Sequence, residues 1–93
     1  MAYLPTCLED SLDPWLEQEP DPSRRVTVID WLQDLCDRDG QVAGTPVPEM
    51  SLPTFAALAG DTGVIVVWVV VDAYSQVAVR RVFDVRTATW FGL

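Results

Sequence analysis

The run VIVVWVVV, Val64–Val71, constrains this chain more than any other stretch. Branching at Cβ crowds a helix and suits a pleated surface, so the run reads as a strand. Side chains alternate between the two faces of a strand, and here both faces are apolar. That pattern belongs to a central strand covered on both sides. A membrane-spanning helix needs about 20 apolar residues, far more than this run supplies. The remaining chain has to provide neighbours for the strand and cover for its faces.

The neighbours lie on either side. AGDTG before the run and DAYS after it are turn signals. TFAAL, Thr54–Leu58, reads as a short strand, and VAVRRVFDV as an antiparallel partner running back. Residues 54–86 therefore read as a three-stranded antiparallel meander. On its last strand Val77, Val79, Phe83 and Val85 share one face with Arg81, while Arg80, Asp84 and Arg86 share the polar face. Arg80 and Arg86 can hold a phosphate or pair with acids on the sheet. Arg81 has core parity and needs acceptors. A bulge at Arg80–Arg81 is the alternative. It would shift the register and turn Asp84 inward, so the unshifted strand is the expectation.

The N-terminal part is helical by pattern. Leu4, Leu8, Leu12, Trp15 and Leu16 are helically spaced, with Thr6 and Glu9 as a capping box. Pro14 predicts a kink or two short helices, with Asp13-Pro14 as cap and first position of the second. After the joint EPDPSRR, the cap Asp21-Pro22 or Ser23 opens a second helix. Its apolar stripe is Val28, Ile29, Leu32, Leu35 and Cys36, with Asp30, Gln33, Asp34 and Asp37 facing water and Gly40 ending it. Gln41–Pro53 holds three prolines and a glycine and reads as an extended connection. The tail, 87–93, carries Trp90 and Phe91. The chain thus reads as one α+β domain, 1–93: an acidic helical half (1–39), a connection (41–53), the meander (54–86) and an aromatic tail (87–93). Two helices can cover one face of the sheet. The tail, a second copy or a partner must cover the other.

Charge and composition narrow the function. The formal net charge is −8, and there is no lysine or histidine. Residues 1–40 hold ten acids and three arginines, and residues 41–93 hold four acids and three arginines. A sequence-independent nucleic-acid binder needs several cations to displace counterions, so nucleic-acid binding is not expected. Without histidine there is no Ser-His or Cys-His dyad and no histidine-ligated zinc site. Without lysine there is no Schiff base and no P-loop. No metal or cofactor is expected. Cys7 and Cys36 fall at apolar-periodic positions and read as buried free thiols, with a disulfide between them left open. MAYLPTCLEDSL lacks the basic segment and apolar core of a secretion signal, so a cytoplasmic, non-membrane protein is expected.

The phrases WLQDLCDRDG, AGTPVPE and VIVVWVVVDAYSQVAVRRVFDV, in that order over about residues 22–86, resemble the RelE/ParE toxin superfamily. The resemblance implies a helix pair on an antiparallel sheet, usually preceded by a strand, which only Ala2-Tyr3-Leu4 could supply. It implies a toxin that cleaves messenger RNA on the ribosome or targets gyrase, held by an antitoxin that wraps it. In the RNA-cleaving members an arginine after the last strand and basic residues on the sheet stabilise the phosphate transition state, helped by a terminal tyrosine. Arg86 stands at the comparable place, with Arg81 nearby. Trp90 and Phe91 stand where that tyrosine would be, and neither carries a phenol. The active enzymes' lysines are missing as well.

Two functions follow as expectations. The first is a RelE/ParE-like domain of a toxin–antitoxin system or its descendant, acting by protein binding. Trp68, Arg80, Trp90 and Phe91 are its contact candidates, and Arg81 and Arg86 would carry any residual metal-independent RNase activity. The second is an acidic inhibitor or adaptor, phage-encoded in one version, that docks a basic protein or mimics nucleic acid through Asp30, Asp34 and Asp37. A homodimer with packed sheets is a third arrangement.

Overall fold

Pairing on both edges of the valine-rich strand sets the architecture. In the computed structural model, which describes residues 3–41, 44–47 and 53–92, the order is β1 (Leu4–Thr6), α1 (Leu12–Gln18), α2 (Pro22–Asp37), β2 (Thr45–Pro46), β3 (Thr54–Leu58), β4 (Val64–Val71), β5 (Gln76–Asp84) and β6 (Thr89–Gly92). The class is α+β, but the sheet is not the expected three-stranded meander. It is a mixed sheet of six strands in the order β1-β5-β4-β3-β2, with β6 also on β5. The expected meander is its centre. The strand β4 lies between β3 and β5, both antiparallel to it. The free edge of β5 is shared: parallel β1 takes Gln76–Ala78, and antiparallel β6 takes Arg81–Asp84.

The additions sit where sequence patterns are weakest. Leu4–Thr6 has helical spacing but forms β1, so the Thr6–Glu9 capping box does not form. Pro5 has no N–H to give, and an edge strand tolerates that. Backbone bonds from Tyr3 N–H to Cys36 O and Leu4 N–H to Ser75 O, both 3.0 Å, anchor its start. The Tyr3 hydroxyl also donates to Asp72 at 2.8 Å. Cys7 then adopts a left-handed φ of 62° and ends the strand. The thiol of Cys7 is exposed, Cys36 is buried, and both are free. The tail forms a hairpin with β5 through the turn 85–88. Of the 41–53 connection, Thr45–Pro46 pairs with β3. Residues 42–43 and 48–52 lie outside the described residues.

The helices follow their signals more closely. Pro14 falls in the first turn of α1, where its missing N–H breaks no helical bond, so the seven-residue helix begins after Ser11 rather than at a kink. Asp21 caps α2 by accepting from Ser23 N–H at 2.9 Å, with Pro22 in the first position. Val28, Leu32, Leu35 and Cys36 are buried, while Ile29 of the expected stripe is 45% exposed. At its end Asp39 N–H bonds Cys36 O at 3.0 Å and Gly40 N–H bonds Leu35 O at 2.8 Å. These two bonds are the Schellman closure, with Asp39 as the left-handed residue. Gly40 is needed for space: a Cβ there would sit 2.7 Å from Val70 Cγ2.

Both helices pack on one face of the sheet. Leu12, Trp15, Val28, Leu32 and Leu35 meet Val64, Val66, Trp68, Val70, Val77, Val79 and Val82 in one core. Trp68 is fully buried, its ring edge-on to Trp31 at 5.7 Å and beside Phe55 at 5.9 Å. Among the described residues no helix is long and apolar enough to cross a membrane.

Candidate functional site

The arginine doublet is the irregularity that builds the site. Val67 pairs with Arg81 and Trp68 with Val79, so Arg80 is an extra residue and β5 is bulged. The unshifted strand expected from alternation is therefore corrected. Beyond the bulge Val82 and Asp84 point to the helices, and Arg81 and Phe83 to the other side. Core parity for Arg81 disappears, because the bulge moves the side chain out of the core.

The inward turn of Asp84 is possible because a cation waits for it. Arg24 of α2, 5% exposed, donates from Nη1 and Nη2 to the two carboxylate oxygens of Asp84, each at 2.9 Å. Trp15 Nε1–H and the Arg86 backbone N–H donate to Asp84 at 2.9 Å each. Arg24 also pairs with buried Glu19 and donates to the Thr62 carbonyl at 3.0 and 2.8 Å. A buried charge is tolerated when paired and hydrogen-bonded, and this one is saturated. The Arg24 guanidinium, then the Trp15 and Arg86 N–H donors, hold the Asp84 carboxyl at about 2. The same contacts, Asp84 first, raise the pKa of Arg24. With both carboxylate oxygens doubly used, no position remains for a ligand. The cluster is a structural clamp joining α1, α2, the 59–63 turn and β5.

The opposite face of the sheet is different. Val47, Thr54, Ala56, Ile65, Val67, Arg80, Arg81 and Trp90 line a groove of about 350 Å³ on that outer face. Its aliphatic floor is half-buried, and no acidic side chain lines it among the described residues. Trp90, 55% exposed, packs on Phe83 with ring centroids 4.7 Å apart. The Arg81 guanidinium lies 5.8 Å from the Trp90 ring centre, a cation–π distance. Gly92 pairs with Arg81 at φ 108°, and a Cβ there would meet the Arg80 carbonyl oxygen at 2.4 Å. Only glycine lets β6 pass this close to the bulge. A larger groove of about 440 Å³ lies between β1, α1 and α2, but it is lined by Tyr3, aliphatics, Asp13, Gln33 and Cys36, with no cation among the described residues. Chemistry, not volume, favours the outer face.

The candidate residues from the sequence are thus distributed unevenly. Arg80, Arg81 and Trp90 come together. Trp68 belongs to the core, and Phe91 is half-buried on the inner side. Arg86 sits exposed in the turn after β5 and does not line the groove with Arg81. Asp30, Asp34 and Asp37 are exposed along α2, and Asp34 pairs with Arg38 at 3.1 Å on the surface. Such an exposed pair contributes about 0–1 kcal/mol. Among the described residues no group of Cys, Asp or Glu is arranged to hold a metal. Sequence reading missed Arg24, whose partner lies 60 positions away, and Gly92. The only local sign of the bulge was the doublet itself. No family model matches this chain, and neither a curated protein nor a solved structure does.

Proposed function

We propose that the protein is a RelE/ParE-like domain, of a toxin–antitoxin pair or descended from one, that acts by binding a protein through the outer face of its sheet. The observation that carries this reading is the half-buried aliphatic groove beside Arg80, Arg81 and Trp90, on a sheet whose inner face is already filled by both helices. Apolar surface rimmed by polar groups marks interaction sites, and Trp and Arg are the residues most enriched at binding hot spots. The family part of the reading rests on the sequence phrases alone, WLQDLCDRDG, AGTPVPE and VIVVWVVVDAYSQVAVRRVFDV. RNA cleavage is the weaker activity for this geometry. Arg86 stands outside the groove that holds Arg81, and the aromatic beside Arg81 is a tryptophan without an acidic proton.

The test is affinity capture from the source organism with three baits: wild type, Trp90→Glu, and Asp30→Asn/Asp34→Asn/Asp37→Asn. The reading expects one stoichiometric partner on wild type and on the aspartate variant, and none on Trp90→Glu. A partner lost only on the aspartate variant would instead establish the acidic adaptor. RNA cleavage by wild type and Arg86→Ala is expected to stay at the same background.

A further inference from the structure

We infer that Arg80, in the outer groove beside Arg81 and Trp90, receives a carboxylate side chain from an acidic, otherwise apolar segment of the partner protein. The inference rests on the outer face being the contact surface and adds the chemistry that surface selects. A regular strand would send Arg80 and Arg81 to opposite faces. The bulge sends both into one groove, and Gly92 admits β6 against it so that Trp90 stands beside them. The Trp90 ring lies against the Arg81 guanidinium and restricts where that cation can go. Arg80 is exposed and makes no side-chain hydrogen bond or ion pair among the described residues. The fork of a guanidinium matches a carboxylate with paired N–H donors.

Charge and groove chemistry decide between anions. A nucleic acid brings a charge with every residue, and a chain at net −8 would repel its length. A peptide brings one or two carboxylates and aliphatic side chains for Val47, Ile65 and Val67. The protein's own exposed aspartates on α2 lie across the sheet from the groove, behind the core. The screening length at physiological salt is about 8 Å, so those aspartates act weakly on Arg80.

The experiment is selection of a random dodecapeptide display library on the whole protein, followed by fluorescence polarisation of the best peptide. Selected peptides should combine aliphatic residues with at least one Asp or Glu. Replacing that acid by its amide should weaken binding about tenfold, the loss of a charge-assisted hydrogen bond. The substitution Arg80→Gln should weaken the acidic peptide by a similar factor and leave the amide peptide unchanged, the signature of direct coupling. Arg80 is exposed, so the fold should survive, and a thermal melt checks it. Peptides without acidic bias, or an acidic peptide indifferent to Arg80→Gln, would overturn the inference. If those peptides still lose binding on Trp90→Glu, the outer face remains the contact surface and only the carboxylate is wrong. Displacement of the peptide by oligouridylate at lower concentration would also overturn it, in favour of a nucleic-acid face.

Discussion

The two faces of β4 have nearly the same composition but different surroundings around Ile65 and Val67, although Val69 on the outer face is buried too. Val64, Val66, Trp68 and Val70 are at most 7% exposed beneath the helices, while Ile65 and Val67 on the reverse side line an open groove. The arginines divide the same way. Arg24 is buried with both carboxylates it needs, and Arg80 and Arg81 stand at the surface beside Trp90. Hydrophobic pattern alone therefore does not distinguish a face used for folding from one left for contact. The placement of charge does separate them, because a buried charge such as Arg24 must be saturated, whereas a surface guanidinium such as Arg80 keeps its hydration.

The contrast breaks most readily at the clamp. Replacing Arg24 with methionine leaves Glu19 and Asp84 buried without their cation and should cost about 3–5 kcal/mol in urea denaturation. Small domains have roughly 5–15 kcal/mol in total, so the variant should be marginal. Acid acts on the same cluster. The folded Asp84 carboxyl is held at about 2, below its unfolded value, so its stabilisation is complete above that unfolded value and is lost as pH falls towards 2. Melting curves between pH 5 and about 2 should show this loss in wild type and a smaller one in Asp84→Asn, which starts less stable. At the junction of the two faces, Gly92→Ala forces a side chain into the Arg80 carbonyl and should cost about 2 kcal/mol while weakening partner binding. On the outer face, Arg80→Gln should change stability by no more than about 0.5 kcal/mol and act only on binding. The smallest effect is chemical: a thiol reagent should label exposed Cys7 in the native protein and reach Cys36 only on unfolding, since burial shields it and pushes its thiol pKa up.

The sequence made the centre of the sheet and the second helix legible because their signals are local. Val64–Val71 and Thr54–Leu58 form strands at the limits that their turns imply, and Asp21-Pro22 opens α2 as a cap should. Errors arose where a distant partner decides. A bulge buries Asp84, and that weighs against it only while the carboxylate is unpaired. Arg24, on another element, pairs it. Leu4–Thr6 has too few residues for a period to show, and its pairing with Gln76–Ala78 is made across the whole chain. Both faces of β4 are apolar, so the sequence does not say which one the helices take, and Trp68, a contact candidate by pattern, lies in the core. Arg80, Arg81 and Trp90 meet in one groove only through the bulge and the pairing of β6 on β5, which no local pattern reveals.

The central claim concerns which face meets the partner, and the chain contains its own reporters. It has two isoleucines: Ile65 in the outer groove and Ile29 on α2, 45% exposed beside the larger groove. With isoleucine methyl groups labelled, a carbon–proton NMR spectrum gives one δ1-methyl signal for each surface. Adding the captured partner should shift or broaden the Ile65 signal and leave Ile29 in place. A moved Ile29 signal with Ile65 unchanged would contradict the account.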